Sequence, residues 1–444
     1  MGGAVVSQIA WLSFDQTQQQ RTQLFLNALS QQGTVDELGT GNIRDLISDA
    51  LFPGHTVLHT RAKYLLFLPR DLSRLASKTV DALAEEGRRA EGQRIKSLRQ
   101  RYKDDGLRSR GIIGYTTGSE TKQLPSSSYW GLLRQLDIYR GTGSLWDYYR
   151  ALATYNAAHA QKSILHSEED AEQQAMSGLW AEYPAESPKH DGFTLSPDEA
   201  EWLRERFLAS DKAPRDERSL TSWLLDKGGP DSDRPWVSGL EYAWNHPLAD
   251  QFPARTAEAM WLGRDVDQLL FGARILYNYL CAHHRPDMGA DRDTLLDKYR
   301  TAMGQWRAQI EMEPPRANLL HELDAWAQRR FAAIEAAPAA RLRWRSTLKF
   351  AQRWQQLVTT SSDLLTDDQA HAHIAERERT IKPGRARLLE PYERLRGWGG
   401  GSGYFRFKYN WSPAAQILCD IHSGLGTPCT KIIEEANTAT KEAD

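Results

Sequence analysis

One segment, from Thr34 to Pro69, constrains the fold most, because it sets seven charged side chains among closely spaced apolar residues. It reads TVDELGTGNIRDLISDALFPGHTVLHTRAKYLLFLP, and its charges belong to Asp36, Glu37, Arg44, Asp45, Asp49, Arg61 and Lys63. Burying an unpaired charge is costly, so each of these side chains must be paired, cap a helix or serve a function. Two interpretations stay open: an internal ion-pair network that fixes helix packing, or a ligand or partner site.

Length and composition place the chain among folded globular proteins. Its 444 residues exceed one ordinary core and predict two or three packed units. Hydrophobic residues make up 40% and charged residues 26%, which excludes wholesale disorder. The formal net charge is -2, so no global field draws the molecule to nucleic acid or to a membrane, and any such attraction must be local.

The cysteines and the N-terminus predict a cytoplasmic protein without a membrane anchor. The three cysteines, Cys281, Cys419 and Cys429, have no spacing typical of a disulfide framework or a zinc knuckle. The opening MGGAVVSQIAWLSFDQ lacks a basic region followed by a long apolar segment. No apolar run approaches the roughly 18 residues of a spanning helix.

Apolar periodicity predicts a mainly α, multi-helical fold. A long helix is expected from Asp71 to about Tyr102, and Ser196-Pro197-Asp198-Glu199 has the pattern of a capping box that opens another helix. Further helices are expected near 219–226, 256–284, 290–312, 316–336, 341–360, 366–380 and 413–421. A few short strands are also expected: residues 404–411 alternate aromatic and other residues, typical of a strand or hairpin, and the N-terminal part allows a winged-helix-like element.

Changes in composition along the chain predict four regions. Residues 1–165 form an N-terminal helical domain, and the polar, turn-rich residues 166–195 form a linker or lid. Residues 196–425 form a C-terminal helical domain, and residues 426–444 form a flexible tail.

A basic run in the first third is the best candidate for a nucleic-acid contact. Between residues 88 and 103 the cations meet one carboxylate, Glu91. Cations on an exposed helix release counterions when they dock on a duplex, although a solvated helix face is the ordinary alternative. The candidate phosphate-contact residues are Arg88, Arg89, Arg94, Arg99, Arg101, Lys103 and Arg110.

The start of the next helix adds three candidates. Ser127 and Ser128 follow a basic, glycine-rich loop, an arrangement compatible with a helix-turn-helix or winged-helix element. Helix N-termini also bind phosphates directly. With Arg134 on the same helix, these serines complete the predicted interface, whereas the neighbouring Tyr129 and Trp130 are expected in the core.

An enzyme is the alternative, although no catalytic signature names a reaction. A metal-dependent nuclease or another phosphate-processing hydrolase would use Asp36, Glu37, Asp45 and Asp49 for a divalent ion and Arg61 or Lys63 to stabilise charge. The spacing of these residues is generic. Three pairs of histidines occur close together in the sequence, at 55 and 59, 283 and 284, and 371 and 373. No Asp, Glu or Cys accompanies them at the spacing of a metal site, so we expect no resident metal and no cofactor.

Four segments resemble an uncharacterised bacterial family of unknown function. They are the segment from Thr34 to Pro69, LPSSSYWGLLRQLDIYR, ARILYNYLC and NWSPAAQILCDIHSGL, which spread the resemblance from Ala10 to Leu425. The resemblance implies genes that are often encoded in anti-phage defence islands beside helicase-like or nuclease-like genes, and it carries over no catalytic residue.

The expected function is therefore a non-enzymatic component of a bacterial defence assembly. It would bind nucleic acid, with DNA expected, a neighbouring defence protein such as a helicase or nuclease, or both. A metal-dependent hydrolase and a purely structural adaptor are the alternatives.

Overall fold

A computed structural model describes residues 36–103, 111–118, 121, 123–162, 178–185, 192–213, 217–227 and 240–427. Within these ranges the chain forms thirteen α-helices, which confirms the mainly helical fold. They are α1 (Gly41–Leu51), α2 (Tyr64–Leu72), α3 (Val80–Arg101), α4 (Pro125–Gln135), α5 (Leu145–Lys162), α6 (Pro197–Ser210), α7 (Leu220–Lys227), α8 (Ala254–His283), α9 (Ala290–Met312), α10 (Leu319–Ala333), α11 (Pro338–Thr360), α12 (Asp368–Ile381) and α13 (Trp411–Gly424).

The described ranges contain no strand, and one isolated antiparallel bridge joins Tyr139 to Trp180. Residues 404–408 run without regular structure before α13, so the short strands stay a prediction. The helix expected from Asp71 begins later, at Val80, because the Thr79 hydroxyl caps it by accepting from the amide of Ala82 (3.4 Å).

The chain divides into two compact units. Among the described residues, the first unit comprises those between 65 and 182, and the second comprises those of 36–64 and of 183–427. The segment that carries the embedded charges therefore belongs mostly with the C-terminal part of the chain.

Aromatic side chains fill the core of the first unit, where α3 and α5 pack together. The rings of Trp130, Tyr139, Tyr148 and Trp180 contact one another with centroid separations of 4.5 to 6.1 Å. Trp130 and the adjacent Tyr129 are buried, as expected from the sequence. Burial of these large rings against each other stabilises the packing of α4, α5 and the segments around Tyr139 and Trp180.

Helix α8 is the centre of the second unit. It is 30 residues long and contacts α1, α9, α10, α11 and α12. Trp306 and Trp354 donate to main-chain oxygens of α8 at 2.7 and 2.8 Å, which satisfies both buried indoles. Gly272 permits the close approach of Trp306, since a Cβ atom there would lie 2.3 Å from the ring.

A second group of helices in this unit consists of α6, α7 and α13. The predicted capping box opens α6 and is confirmed: the Ser196 hydroxyl accepts from the amide of Glu199, and the Glu199 carboxylate accepts from the amide of Ser196. Four residues were enough to predict the start of this helix, because a capping box satisfies two otherwise unpaired helix donors within one turn.

Candidate nucleic-acid interface

The basic helix α3 separates a buried face from a cationic one. Its buried residues include Leu83, Glu91, Ile95 and Leu98, together with two glycines. At 3.6 residues per turn, the exposed cations fall within an adjoining arc of about 100°, which also contains the buried Gly92. This exposed basic face consists of Arg88, Arg89, Lys96 and Arg99, with Lys103 just past the end of the helix.

Most cations of this basic face have no carboxylate partner. Within the described ranges Arg88, Lys96 and Lys103 form no ion pair, and Arg99 lies 5.8 Å from the ring of Tyr115. Arg89 reaches Glu85 at 3.6 Å, but both side chains are more than half exposed, so this pair contributes little. Within the part of the chain that the structure describes, most cations of this face therefore have no ion-pair partner.

The remaining arginines of the predicted interface are placed differently. Arg94 lies on another side of α3, where it forms an ion pair with Asp71 at 2.6 Å and stacks over Phe67 at 4.3 Å. Arg101 is exposed in the last turn of the helix. Arg110 lies outside the described residues. Because Arg94 is already neutralised, we place it outside the basic face.

The start of α4 is held by a buried carboxylate of the same unit. Glu91 accepts from the Ser126 amide at 2.7 Å and from the Ser126 hydroxyl at 2.6 Å. Burial raises the pKa of Glu91 to about 7, although both hydrogen bonds oppose this shift. An acid at this position already occupies the positive end of the helix, so the N-terminus of α4 does not serve as an open phosphate site.

The serines that were predicted to contact phosphate make local hydrogen bonds. The hydroxyls of Ser127 and Ser128 both donate to the carbonyl of Leu124, at 2.7 and 3.3 Å. Ser127 is exposed, whereas Ser128 is buried. Arg134 is half-buried near the other end of α4 and forms no ion pair with any described residue.

In the second unit, the embedded charges of the Thr34–Pro69 segment are directed to different partners. Asp36 caps the start of α1 by accepting from the amides of Thr40 (2.9 Å) and Gly41 (2.5 Å). The buried Glu37 forms ion pairs with Lys382 and Arg387. Asp36 and Glu37 line a cleft whose other lining residues include Arg274, Tyr277, Ser402, Gly403, Phe405 and Phe407.

The five later charged side chains of this segment form four separate ion pairs. Arg44 and Asp45 pair with each other, and Asp49 pairs with Arg330, each at 2.8 Å. Arg61 pairs with Asp420 at 2.8 Å, and the fully buried Lys63 pairs with Glu199 at 2.5 Å. Asp36, Asp45 and Asp49 thus lie near one another around α1, but Glu37, Arg61 and Lys63 pair elsewhere, so the structure does not bring all the predicted catalytic residues into one site.

A metal site is equally hard to build from these residues. In the described part of the chain, no group of three or more His, Cys, Asp and Glu side chains is placed to hold a metal ion. His55 and His59 lie close together, with ring centroids 5.7 Å apart, but packed among aromatic side chains.

Sequence reasoning overlooked the cations of α11. This helix carries five Lys or Arg residues and no carboxylate across 23 residues, a signal as plain as that of α3. The flanking helices α10 and α12 carry both signs of charge, so the excess disappears when the sequence is read over a longer window. None of the described helices is long and apolar enough to cross a membrane.

The comparisons with known proteins identify a family but no activity. A family model described as "Family of unknown function (DUF6361)" matches residues 6–424, so the chain belongs to that family. The match confirms that the resemblance to an uncharacterised family extends over nearly the whole chain. No match was found among curated proteins, and none among solved structures.

Proposed function

We propose that this protein binds nucleic acid through the basic face of α3, as a non-catalytic component of a bacterial anti-phage defence assembly. One observation carries the binding part: Arg88, Lys96 and Lys103 are exposed on one side of the helix and unpaired within the described residues. Opposing carboxylates neutralise many other arginines, as Asp71 does for Arg94.

The expected binding is mainly electrostatic. Each phosphate contact with duplex DNA releases condensed counterions, which lowers the logarithm of the binding constant by about 0.9 per tenfold rise in salt. Five cations on the basic face predict a slope of up to about -4.5. Such contacts position the protein on the backbone and carry no base readout, so we expect weak sequence preference.

The test is the salt dependence of binding to a short labelled duplex, measured by fluorescence anisotropy from about 50 to 200 mM salt. The α3 triple variant, Arg88→Gln, Lys96→Gln and Lys103→Gln, should bind more weakly and flatten the slope by up to about 2.7. Because these side chains are exposed and form no ion pair with described residues, we expect the variant to keep the fold.

A matched control removes the same charge elsewhere. In the control triple, Arg300→Gln, Arg329→Gln and Arg379→Gln, each exposed arginine is already ion-paired, with Asp297, Glu258 and Glu376 respectively. It should leave the slope nearly unchanged. Equal slopes for the wild type and the α3 triple variant, or no wild-type binding at the lowest salt, would overturn the proposal.

The defence-assembly part rests on the family resemblance. Its test is co-expression with the helicase or nuclease encoded beside the gene, followed by affinity purification and size-exclusion chromatography. Stable copurification without any duplex affinity would instead assign the protein as a purely structural adaptor.

A further inference from the structure

The exposed side of α11 carries a second row of cations. Its buried side is formed by residues such as Trp344, Thr347 and Trp354, which pack into the second unit. On the opposite side, Arg345, Lys349 and Arg353 recur every four residues and are exposed. Two exposed amides, Gln352 and Gln356, stand beside them.

Among the residues that the structure describes, no carboxylate forms an ion pair with this row. Arg345 and Lys349 form no ion pair with described residues, and Arg353 donates only to the amide oxygens of Gln356 (3.3 Å) and Gln369 (2.8 Å). Arg341, which is half-buried, differs, because it donates to the carbonyls of Phe331 and Ala336 at the end of α10. The three cations of the row are therefore not required for the packing of α11 against its own unit.

The sequence around α11 is strongly basic as well. Residues 341–408 contain fourteen Lys or Arg against seven Asp or Glu, although the whole chain has a net charge of -2. Carboxylates outside this stretch compensate part of the excess, as Glu37 does for Lys382 and Arg387, so the local positive field comes from the cations of α11.

We propose that Arg345, Lys349 and Arg353 form a second phosphate-binding surface, through which the second unit contacts the backbone of the same class of ligand. Nucleic acid as that ligand rests on the proposed function. Cations four residues apart on a helix rise by about 6 Å per step, close to two steps of roughly 3.4 Å along one strand. The flanking glutamines add neutral donors, which commonly contact phosphate and sugar.

The α11 triple variant, Arg345→Gln, Lys349→Gln and Arg353→Gln, tests this surface in the duplex titration described above, with the same control triple. The slope against salt should flatten by up to about 2.7, and affinity at about 100 mM salt should fall at least tenfold. Combining the α3 and α11 variants should flatten the slope further than either alone.

The outcomes separate the two proposals. If the α11 triple variant binds like the wild type while the α3 triple variant loses affinity, this inference fails and the proposed function stands. If only the α11 triple variant loses affinity, the α3 face is overturned and the α11 surface stands. A wild-type protein that binds polyglutamate-like or other acidic polypeptides but no duplex overturns both.

Discussion

The fully buried ion pair between Lys63 and Glu199 gives the sharpest test of what holds the second unit together. Lys63 Nζ lies 2.5 Å from Glu199 Oε2 and also donates to the carbonyl of Thr194 at 2.9 Å. The same carboxylate oxygen accepts from the Ser196 amide at 2.9 Å, as part of the capping box of α6. Neither charged side chain is exposed to solvent.

Removing one partner should be far more costly than removing both. Lys63→Met leaves a buried carboxylate without its cation, which costs about 3 to 5 kcal/mol, whereas an exposed pair is worth about 0 to 1 kcal/mol. Glu199→Gln leaves the ammonium uncompensated and should cost a similar amount. The double variant should lose less than either single variant, because no unpaired charge stays buried.

Hydrogen exchange of the α6 amides, residues 197–210, is the appropriate measurement, since a two-unit chain has no single well-defined free energy of unfolding. The two single variants and the double variant form a double-mutant cycle whose coupling energy reports the pair directly. A loss below about 1 kcal/mol for Lys63→Met, or strict additivity in the double variant, would refute the reasoning, since either result is what a solvated pair gives.

Three other predictions concern buried titratable groups. Burial raises the pKa of Glu91 from 4.5 to about 7, so the free energy of unfolding of the first unit should fall by roughly 3 kcal/mol as pH rises from 4.5 to 7. Glu91→Gln should abolish this pH dependence, as measured from the free energy of opening of the α4 amides. Burial lowers the pKa of His246 and of His422 from 6.5 to about 4, so the free energy of unfolding of the second unit should fall by roughly 3 kcal/mol per imidazole as pH falls through that window. A free energy of opening of the α13 amides, obtained after division by the intrinsic exchange rate at each pH, that stays constant contradicts this. Asp267→Asn should lower the free energy of opening of the α8 amides by about 3 to 5 kcal/mol, because the buried Arg274 and the half-buried Arg406 lose the carboxylate that they share. Unchanged protection of these amides in the variant would exclude that role.

Local signals made the helices predictable. The capping box at Ser196 and the apolar periodicity of α8 and α9 each follow from residues within a few turns of one another, so sequence alone located them. The sequence predicted that α3 begins at Asp71, because its apolar periodicity is continuous from there. The folded chain shows that the helix begins at Val80, where Thr79 caps it.

The candidate interface was half predictable. The sparse carboxylates between residues 88 and 103 indicated a basic helix, and Arg88, Lys96 and Lys103 form no ion pair with any described residue. Arg94 was included with them because its partner Asp71, 23 residues earlier, is invisible to a count of charges inside the helix. The basic row of α11 was missed although its composition was equally informative.

Sequence by itself determined that the chain is helical, that it carries concentrated positive segments within a nearly neutral whole, and that the charges from Asp36 to Lys63 need partners. Tertiary structure alone decided which partners these are. Lys63 meets Glu199 across 136 positions of chain and Glu37 meets Arg387 across 350. Propensity and capping act over a few residues, but a buried charge is compensated by whichever opposite charge the packed helices bring within reach, and that choice is made only when the core forms.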